Sequence, residues 1–228
     1  SNTYNIVDSA QNIAGSTNAV LALAGTVTAN TNATHTQADT ISAFTKAVIY
    51  SVEGTTAELV GITDLARNEA VNLVSTSSAD VAQAKTITDA TNSGSNTYNI
   101  SDTASNLATG IVTSVRAMDG AGTVVATTNA TGVQSAKLAS ISQVIVYDIS
   151  DTATNLVAGV STDSVSITNA QTVSASTYAT AAQANVLAGL SKSVNYSIKD
   201  TAASIAGANS TALNQAINII CTTDALVA

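Results

Sequence analysis

Five segments of this chain align with one another without gaps: Tyr4 to Ile13 (YNIVDSAQNI), Tyr50 to Leu59 (YSVEGTTAEL), Tyr98 to Leu107 (YNISDTASNL), Tyr147 to Leu156 (YDISDTATNL) and Tyr196 to Ile205 (YSIKDTAASI). Their tyrosines stand 46, 48, 49 and 49 residues apart, and five of the six tyrosines in the chain thus hold one position of a repeat. The sixth, Tyr178, lies outside the motif. A repeat of this size cannot enclose a core alone, so copies must stack on their neighbours.

Each motif reads as a short strand running into a helix. Tyrosine and the Ile or Val two residues later share one face of an extended segment. Asp8, Asp102, Asp151 and Asp200, each followed by Ser or Thr, are expected to accept hydrogen bonds from the free amides of a helix's first turn. Gly15, Gly61, Gly110, Gly159 and Gly207 read as stop signals, which leaves helices of about two turns.

A second strand and helix fill each repeat. The strands are expected over Thr26 to Ala29, Ala70 to Val74, Gly122 to Thr127, Ser164 to Thr168 and Ala216 to Cys221, all rich in Val, Ile or Thr. Turns follow at Asn32-Ala33, Ser78-Ala79, Asn129-Ala130, Asn169-Ala170 and Asp224-Ala225. Longer helices are expected over Asp80 to Ala90, Gln134 to Ile141 and Ala175 to Leu190, where alanine keeps the helix cost low. Each repeat is then two coils of about 24 residues, a size within the range of known solenoid repeats.

Strands that recur once per coil with helices as return segments stay adjacent as a parallel sheet. The expected fold is therefore an α/β repeat solenoid forming a single domain over residues 1–228. Its repeats start near 4, 50, 98, 147 and 196, and the last is incomplete. Successive motif tyrosines would lie roughly 10 Å apart, with the intervening coil between them. A doubly wound sheet is the rival, but it does not require five equivalent motifs at constant spacing.

Composition excludes several functions. Ala, Thr, Ser and Asn make up 124 of 228 residues, aromatic residues only 3%, and proline and tryptophan are absent. The core must be thin and built from Ala, Val, Ile and Leu. Seven Lys+Arg against fifteen Asp+Glu give a net charge of −8. That balance removes the electrostatic basis for binding nucleic acid or an anionic membrane, and no run of about 18 apolar residues is present for membrane insertion.

The aspartate series Asp8, Asp102, Asp151 and Asp200 is the one metal candidate. Calcium takes 6 to 8 oxygens, and carboxylates about 10 Å apart cannot share an ion, so helix capping is the preferred reading and no cofactor is expected. His35, the only histidine, lies in a polar turn with no Ser or carboxylate marked as its partner, and reads as exposed. Cys221, the only cysteine, ends an apolar run and reads as a small buried hydrophobe. No phosphate loop, dinucleotide fingerprint or zinc spacing occurs, so no catalytic residue is named and an enzyme is not expected. Asn-x-Ser/Thr matches at Asn32, Asn99, Asn129, Asn195 and Asn209 carry no weight in so polar a chain, and Thr-x-Thr pairs do not recur at the repeat period.

The motif Tyr-x-Ile-x-Asp-Thr-Ala-x-Asn-Leu, clearest at Tyr98 to Leu107 and Tyr147 to Leu156, resembles repeats of large secreted bacterial surface proteins, including type I secreted adhesins and S-layer-like proteins. The resemblance spans essentially the whole chain. It implies an extracellular or cell-surface location and export without a cleaved leader, and Asp224 to Ala228 resembles the acidic-then-apolar ends of some type I substrates. No polar capping repeat is recognisable at either end, so the expectation is either a piece of a longer array or open ends that dock head to tail with further copies. Tyr4, Ile6, Tyr196, Ile198 and Ile220 are the expected core or docking positions. The expected function is structural, a filament, surface layer or adhesin stalk. The alternative is a calcium-dependent adhesin module contacting glycans or cell surfaces.

Overall fold

The computed structural model describes residues 4–160 and 164–224, the side chains of Val160 and Ser164 aside. It is mixed α/β, with parallel sheets and fourteen helices among the described residues. The first repeat holds β1 (Tyr4–Asp8), α1 (Ala10–Ala14), α2 (Asn18–Leu21), β2 (Ala24–Ala29) and α3 (His35–Ser42). The second holds β3 (Val52–Gly54), α4 (Thr56–Gly61), α5 (Asp64–Glu69), β4 (Leu73–Ala79) and α6 (Val81–Thr88). In the third are β5 (Thr97–Asp102), α7 (Ala104–Thr113), α8 (Val115–Asp119), β6 (Val124–Ala126) and α9 (Gly132–Leu138). The fourth has β7 (Ile145–Val146), β8 (Ile149–Asp151), α10 (Ala153–Val160), α11 (Ser164–Asn169), β9 (Val173–Ala175) and α12 (Ala181–Ala188). Last come β10 (Val194–Asn195), β11 (Ile198–Asp200), α13 (Ala202–Ala206), α14 (Ser210–Gln215) and β12 (Ile219–Cys221).

The chain divides into two compact units, Ser1–Ser101 with Ser114–Val124, and Asp102–Thr113 with Val125–Ala228. In the first, β1 pairs with β2, β3 with β4 and β4 with β5, all in parallel, and single bridges join Thr28 to Ile49 and Ala33 to Val52. In the second, β8 pairs with β9, β9 with β10 and β11 with β12, again in parallel, with bridges from Ala130 to Ile149 and from Ala179 to Ile198. Partners are between 19 residues (Ala33 to Val52) and 24 residues (Ile149 to Val173) apart in sequence. Parallel neighbours so close in sequence need a crossover, and the short helices supply it.

Each repeat contains a helix that the periodicity does not announce. After the motif helix comes α2, α5, α8, α11 or α14, and the motif tyrosine reaches it. Tyr50 Oη donates to Ala66 O at 2.9 Å, Tyr98 to Ala117 O at 2.8 Å, Tyr147 to Ser166 O at 2.7 Å and Tyr196 to Ala212 O at 2.9 Å. Tyr4 makes the same bond to Val20 O at 3.3 Å. The first four rings are buried, and burial pushes the Tyr50, Tyr98 and Tyr196 hydroxyls up from the usual phenol range. The tyrosine is a strut: its ring fills the thin core and its hydroxyl donates to a carbonyl of the short helix, at Ala66 and Ser166 beside the backbone N–H of Ala70 and Ala170.

Several expectations need correction. The segment Ser164 to Thr168 is helix α11, and the strand lies later at Val173–Ala175, with its turn before Ala179 rather than at Asn169-Ala170. Val27, Leu73 and Ile219 follow their tyrosines by 23 residues, whereas Val124 and Val173 follow theirs by 26. The extra residues go into longer motif helices, ten residues in α7 and eight in α10 against five in α1. The strand expected over Ala70 to Val74 starts at Leu73, and the helix expected over Ala175 to Leu190 is confined to Ala181–Ala188. Of the glycine stops, only Gly15 and Gly207 are C-caps; Gly61 ends α4 within the helix, and Gly110 and Gly159 lie inside α7 and α10. Among the described residues no glycine has positive φ, so these helix ends never call on its left-handed freedom.

The second coil of the first four repeats opens on a motif of its own, Ala-Thr/Asp-x-x-Gln, at Ala33 to Gln37, Ala79 to Gln83, Ala130 to Gln134 and Ala179 to Gln183. Thr34, Asp80, Thr131 and Thr180 are N-caps of α3, α6, α9 and α12, and each forms a full capping box with its glutamine. The four alanines are buried at the sheet, and Ile41, Ile87, Leu138 and Leu187 carry each helix into the core. Arg67 occupies the place of the buried Leu21, Met118 and Ile167, and its guanidinium turns back onto Leu59 O, Val60 O, Ile62 O and Asp64 Oδ1. A buried cation is thereby given the last carbonyls of α4 as partners.

Replacing Tyr50 with Phe removes the phenol donor from Ala66 O, which keeps the Ala70 N–H at 3.2 Å, and should lower stability by about 0.5–1.5 kcal/mol in urea unfolding. Tyr4→Phe, at an exposed site, should cost less than about 0.5 kcal/mol. Equal losses would show that the hydroxyl strut contributes nothing beyond the ring.

Candidate functional site

The aspartates that end the motif strands are the chain's most regular set of charged groups. Asp8, Asp102, Asp151 and Asp200 close β1, β5, β8 and β11. The expected direct capping of the motif helix is corrected by the geometry: the hydroxyl one residue later is the cap. Ser9, Thr103, Thr152 and Thr201 accept from the N–H three residues on, at 3.1–3.2 Å. A hydroxyl at that position is short enough to meet the third amide, whereas the aspartate stands one residue outside the helix.

Each aspartate instead gathers donors around the turn. Its Oδ1 accepts from the next N–H at 2.7–2.8 Å, and in three repeats also from Asn12, Asn106 or Asn155 Nδ2 at 2.8 Å. The Oδ2 atoms of Asp151 and Asp200 reach the preceding coil, where they accept from Gly132 N at 2.9 Å and Ala181 N at 3.0 Å. These are the first amides of α9 and α12, so one carboxylate ties a strand end to two helix starts. A second cross-coil bond recurs in all five repeats. The first amides of the motif helices, at Ala10, Thr56, Ala104, Ala153 and Ala202, donate to the hydroxyls of Thr31, Ser77, Thr128, Thr177 and Thr223 at 3.0–3.1 Å.

The second repeat departs from the pattern in a compensated way. Gly54 stands at the aspartate position, and Glu58 takes the place of Asn12, Asn106 and Asn155. Glu58 Oε2 accepts from Thr55 N at 2.7 Å and Thr55 Oγ1 at 2.9 Å. A Cβ on Gly54 would lie 2.9 Å from that oxygen, so a side chain there would displace the Glu58 carboxylate from its place in the turn. His35, which starts α3 as Gly132 starts α9, brings Nδ1 to 3.4 Å from Glu58 Oε1. The expectation of a histidine without a carboxylate partner is thus corrected: the partner comes from the next coil, beyond the reach of local spacing.

The aspartate oxygens meet N–H donors rather than one another, and among the described residues no three His, Cys, Asp or Glu side chains form a group that could hold a metal. The Asn12 amide, then Ser9 N–H, hold the Asp8 carboxyl below its usual range against slight desolvation. Ala181 and Thr201 N–H do the same for Asp200, and Thr55, then His35, for Glu58. At Asp151 burial pushes upward, but Gly132 N–H, the Asn155 amide and Thr152 N–H together outweigh it, and the carboxyl is lowered.

The expected core or docking residues fall into two groups. Tyr196 and Ile198 are buried in the core, while Tyr4 and Ile220 are exposed and Ile6 is half-buried. Cys221 is exposed, not buried, and its thiol donates to Thr223 O. It closes β12, which pairs with β11 and with no other strand among the described residues. Residues 225–228, with Ala225 of the expected Asp224-Ala225 turn and most of the apolar tail, lie outside the described residues. Comparison of the chain with protein-family models, curated proteins and solved structures finds no match.

The lowered carboxyls make stability depend on acid. A group whose folded pKa lies below its unfolded value, here 3.8 for Asp151 and Asp200, contributes stability above that value and loses it as the pH falls through the folded pKa. Asp151→Asn should lower the melting temperature at neutral pH and flatten its decline below about pH 4. An acid limb as steep as in the unmodified protein would show that this carboxylate does not couple the two helix starts.

Proposed function

We propose that the chain is a structural protein whose coils continue as one α/β solenoid, and that it extends or assembles head to tail into a filament, surface layer or adhesin stalk outside a bacterial cell. The supporting observation is a contrast between equivalent positions. Val27, Leu73, Val124 and Val173 are buried, but Ile219, at the same place in the last coil, is 44% exposed. Tyr50, Tyr98, Tyr147 and Tyr196 are buried, but Tyr4 is 46% exposed.

The exposed sets at β1 and β12 therefore have the character of interior surface, together with one unpaired strand edge each among the described residues. A further coil of the same pattern, from a longer array or from another copy, buries both. Docking of one end on the other is heterologous, and without ring closure it propagates as a fibre. The remaining chemistry suits the role, since the carboxylates serve turns and the net charge of −8 keeps the assembled surface solvated.

The 228-residue chain should sediment as larger species with rising concentration, and Ile219→Lys should hold it as a monomer or dimer. A monomer at every concentration overturns assembly through these ends. Small-angle scattering tests the solenoid separately, because stacked coils give an elongated particle whether or not copies join.

A further inference from the structure

In a repeat protein most positions are dictated by the neighbouring coils, so residues that break the repeat together in one place call for a different explanation. Tyr178, the tyrosine outside the motif, stands where the other repeats carry Asn32, Ser78 and Asn129. Ile217 stands where they carry Gly25, Val71, Gly122 and Gln171, and Asn195 where they carry Ile49, Thr97 and Val146. Tyr178 is the one aromatic residue at its position and Asn195 the one amide at its own; with Ile217, at a position that has no common residue, they line one open groove of about 360 Å³ in the second unit, together with Ser174, Ser176 and Ser197.

The groove has two kinds of wall. Tyr178 is 52% exposed and Ile217 64%, large apolar surfaces for a chain with so few rings. Lys199 Nζ lies 5.8 Å from the Tyr178 ring centroid and steadies the ring by a cation–π contact. Beside them Asn195 and Ser176 are exposed and Ser197 half-buried, which offers an amide donor and acceptor and two hydroxyls to a ligand. The structural role of the neighbouring hydroxyls is already taken: Thr177 Oγ1 accepts from Ala153 N and Ser174 Oγ donates to Ile149 O.

We propose that this groove is a binding site for a neutral saccharide, whose C–H face stacks on Tyr178 and Ile217 while Asn195, Ser176 and Ser197 hydrogen-bond its hydroxyls. A pyranose ring matches this division, with an apolar face of C–H bonds and a rim of hydroxyl groups. A hydrocarbon ligand would leave the polar wall unpaired, and a strongly anionic one would find, among the described residues, only Lys199 as a cation over the ring. The site is independent of the solenoid reading, since it lies wholly within one unit.

Saturation-transfer NMR with methyl α-mannopyranoside, methyl β-glucopyranoside and methyl β-galactopyranoside tests this site. At least one glycoside should receive saturation on the C–H protons of one face. Tyr178→Asn installs the residue of the first and third repeats, so it should keep the melting temperature while lowering the transfer at least fivefold. Ile217→Gly, again a residue of other repeats, should weaken it in the same direction. No transfer to any of the three glycosides, undiminished transfer to Tyr178→Asn, or transfer only to a proline-rich peptide probe would overturn the proposal.

Discussion

The hydrogen bond from each motif tyrosine to the carbonyl of a short helix sixteen or nineteen residues later holds the coils in shape. Helices of four to six residues, such as α2, α5 and α14, are too short to be stable on their own and leave most of their carbonyls unpaired. A phenol is the one common side chain that fills a thin aliphatic core and also delivers a donor to its far side. Alanine cannot make that reach, and this explains why a chain so poor in aromatic residues keeps tyrosine at this position in all five repeats. Shortening the helix by three residues shortens the loop spanned by the bond by the same amount, and the strut is kept.

The polar bonds between coils follow the same economy. Helix starts carry unpaired amides, and small helices have proportionally more of them. Threonine and serine hydroxyls after the second strand satisfy the first amide of the motif helix in every repeat. Asp151 and Asp200, at their strand ends, satisfy helix starts of the preceding coil, in the opposite direction. Where Gly54 removes the aspartate, Glu58 supplies the carboxylate from within the helix and meets His35 across the coil. The turn is conserved as a pattern of bonds even where its residues change, and the abundance of Ser, Thr, Asn and Asp in the chain reflects how many such bonds a stack of short helices requires.

Much of this was legible in the sequence. The five motifs and the aspartate that ends four of their strands follow from period and alternation, whereas the burial of Tyr50, Tyr98 and Tyr147 corrects the expectation of a core built from Ala, Val, Ile and Leu, in which only Tyr196 of these tyrosines had a place. The second motif, Ala-Thr/Asp-x-x-Gln, was equally available, because a capping box is a local pattern, but it carries no rare residue to draw attention. The strand misplaced onto Ser164 to Thr168 shows the limit of local reading. Its Val and Ile alternate well enough for a strand, yet three additional residues in the preceding helix move the true strand to Val173–Ala175, and pairing with Ile149 decides between them. The burial expected for Cys221 failed for a related reason: an apolar run is covered only if another strand lies beside it.

The sequence by itself determined the period, the α/β character, the acidic polar surface and the tyrosine position, since these depend on residue type and on neighbours within a few positions. Only the tertiary structure decided which carboxylate meets which helix start, that His35 faces Glu58, and that Tyr178, Asn195 and Ile217 share a groove. Those contacts join residues 17 to 39 apart in sequence, and their geometry is set by the register of the parallel strands, a property of the packed chain that no local pattern encodes.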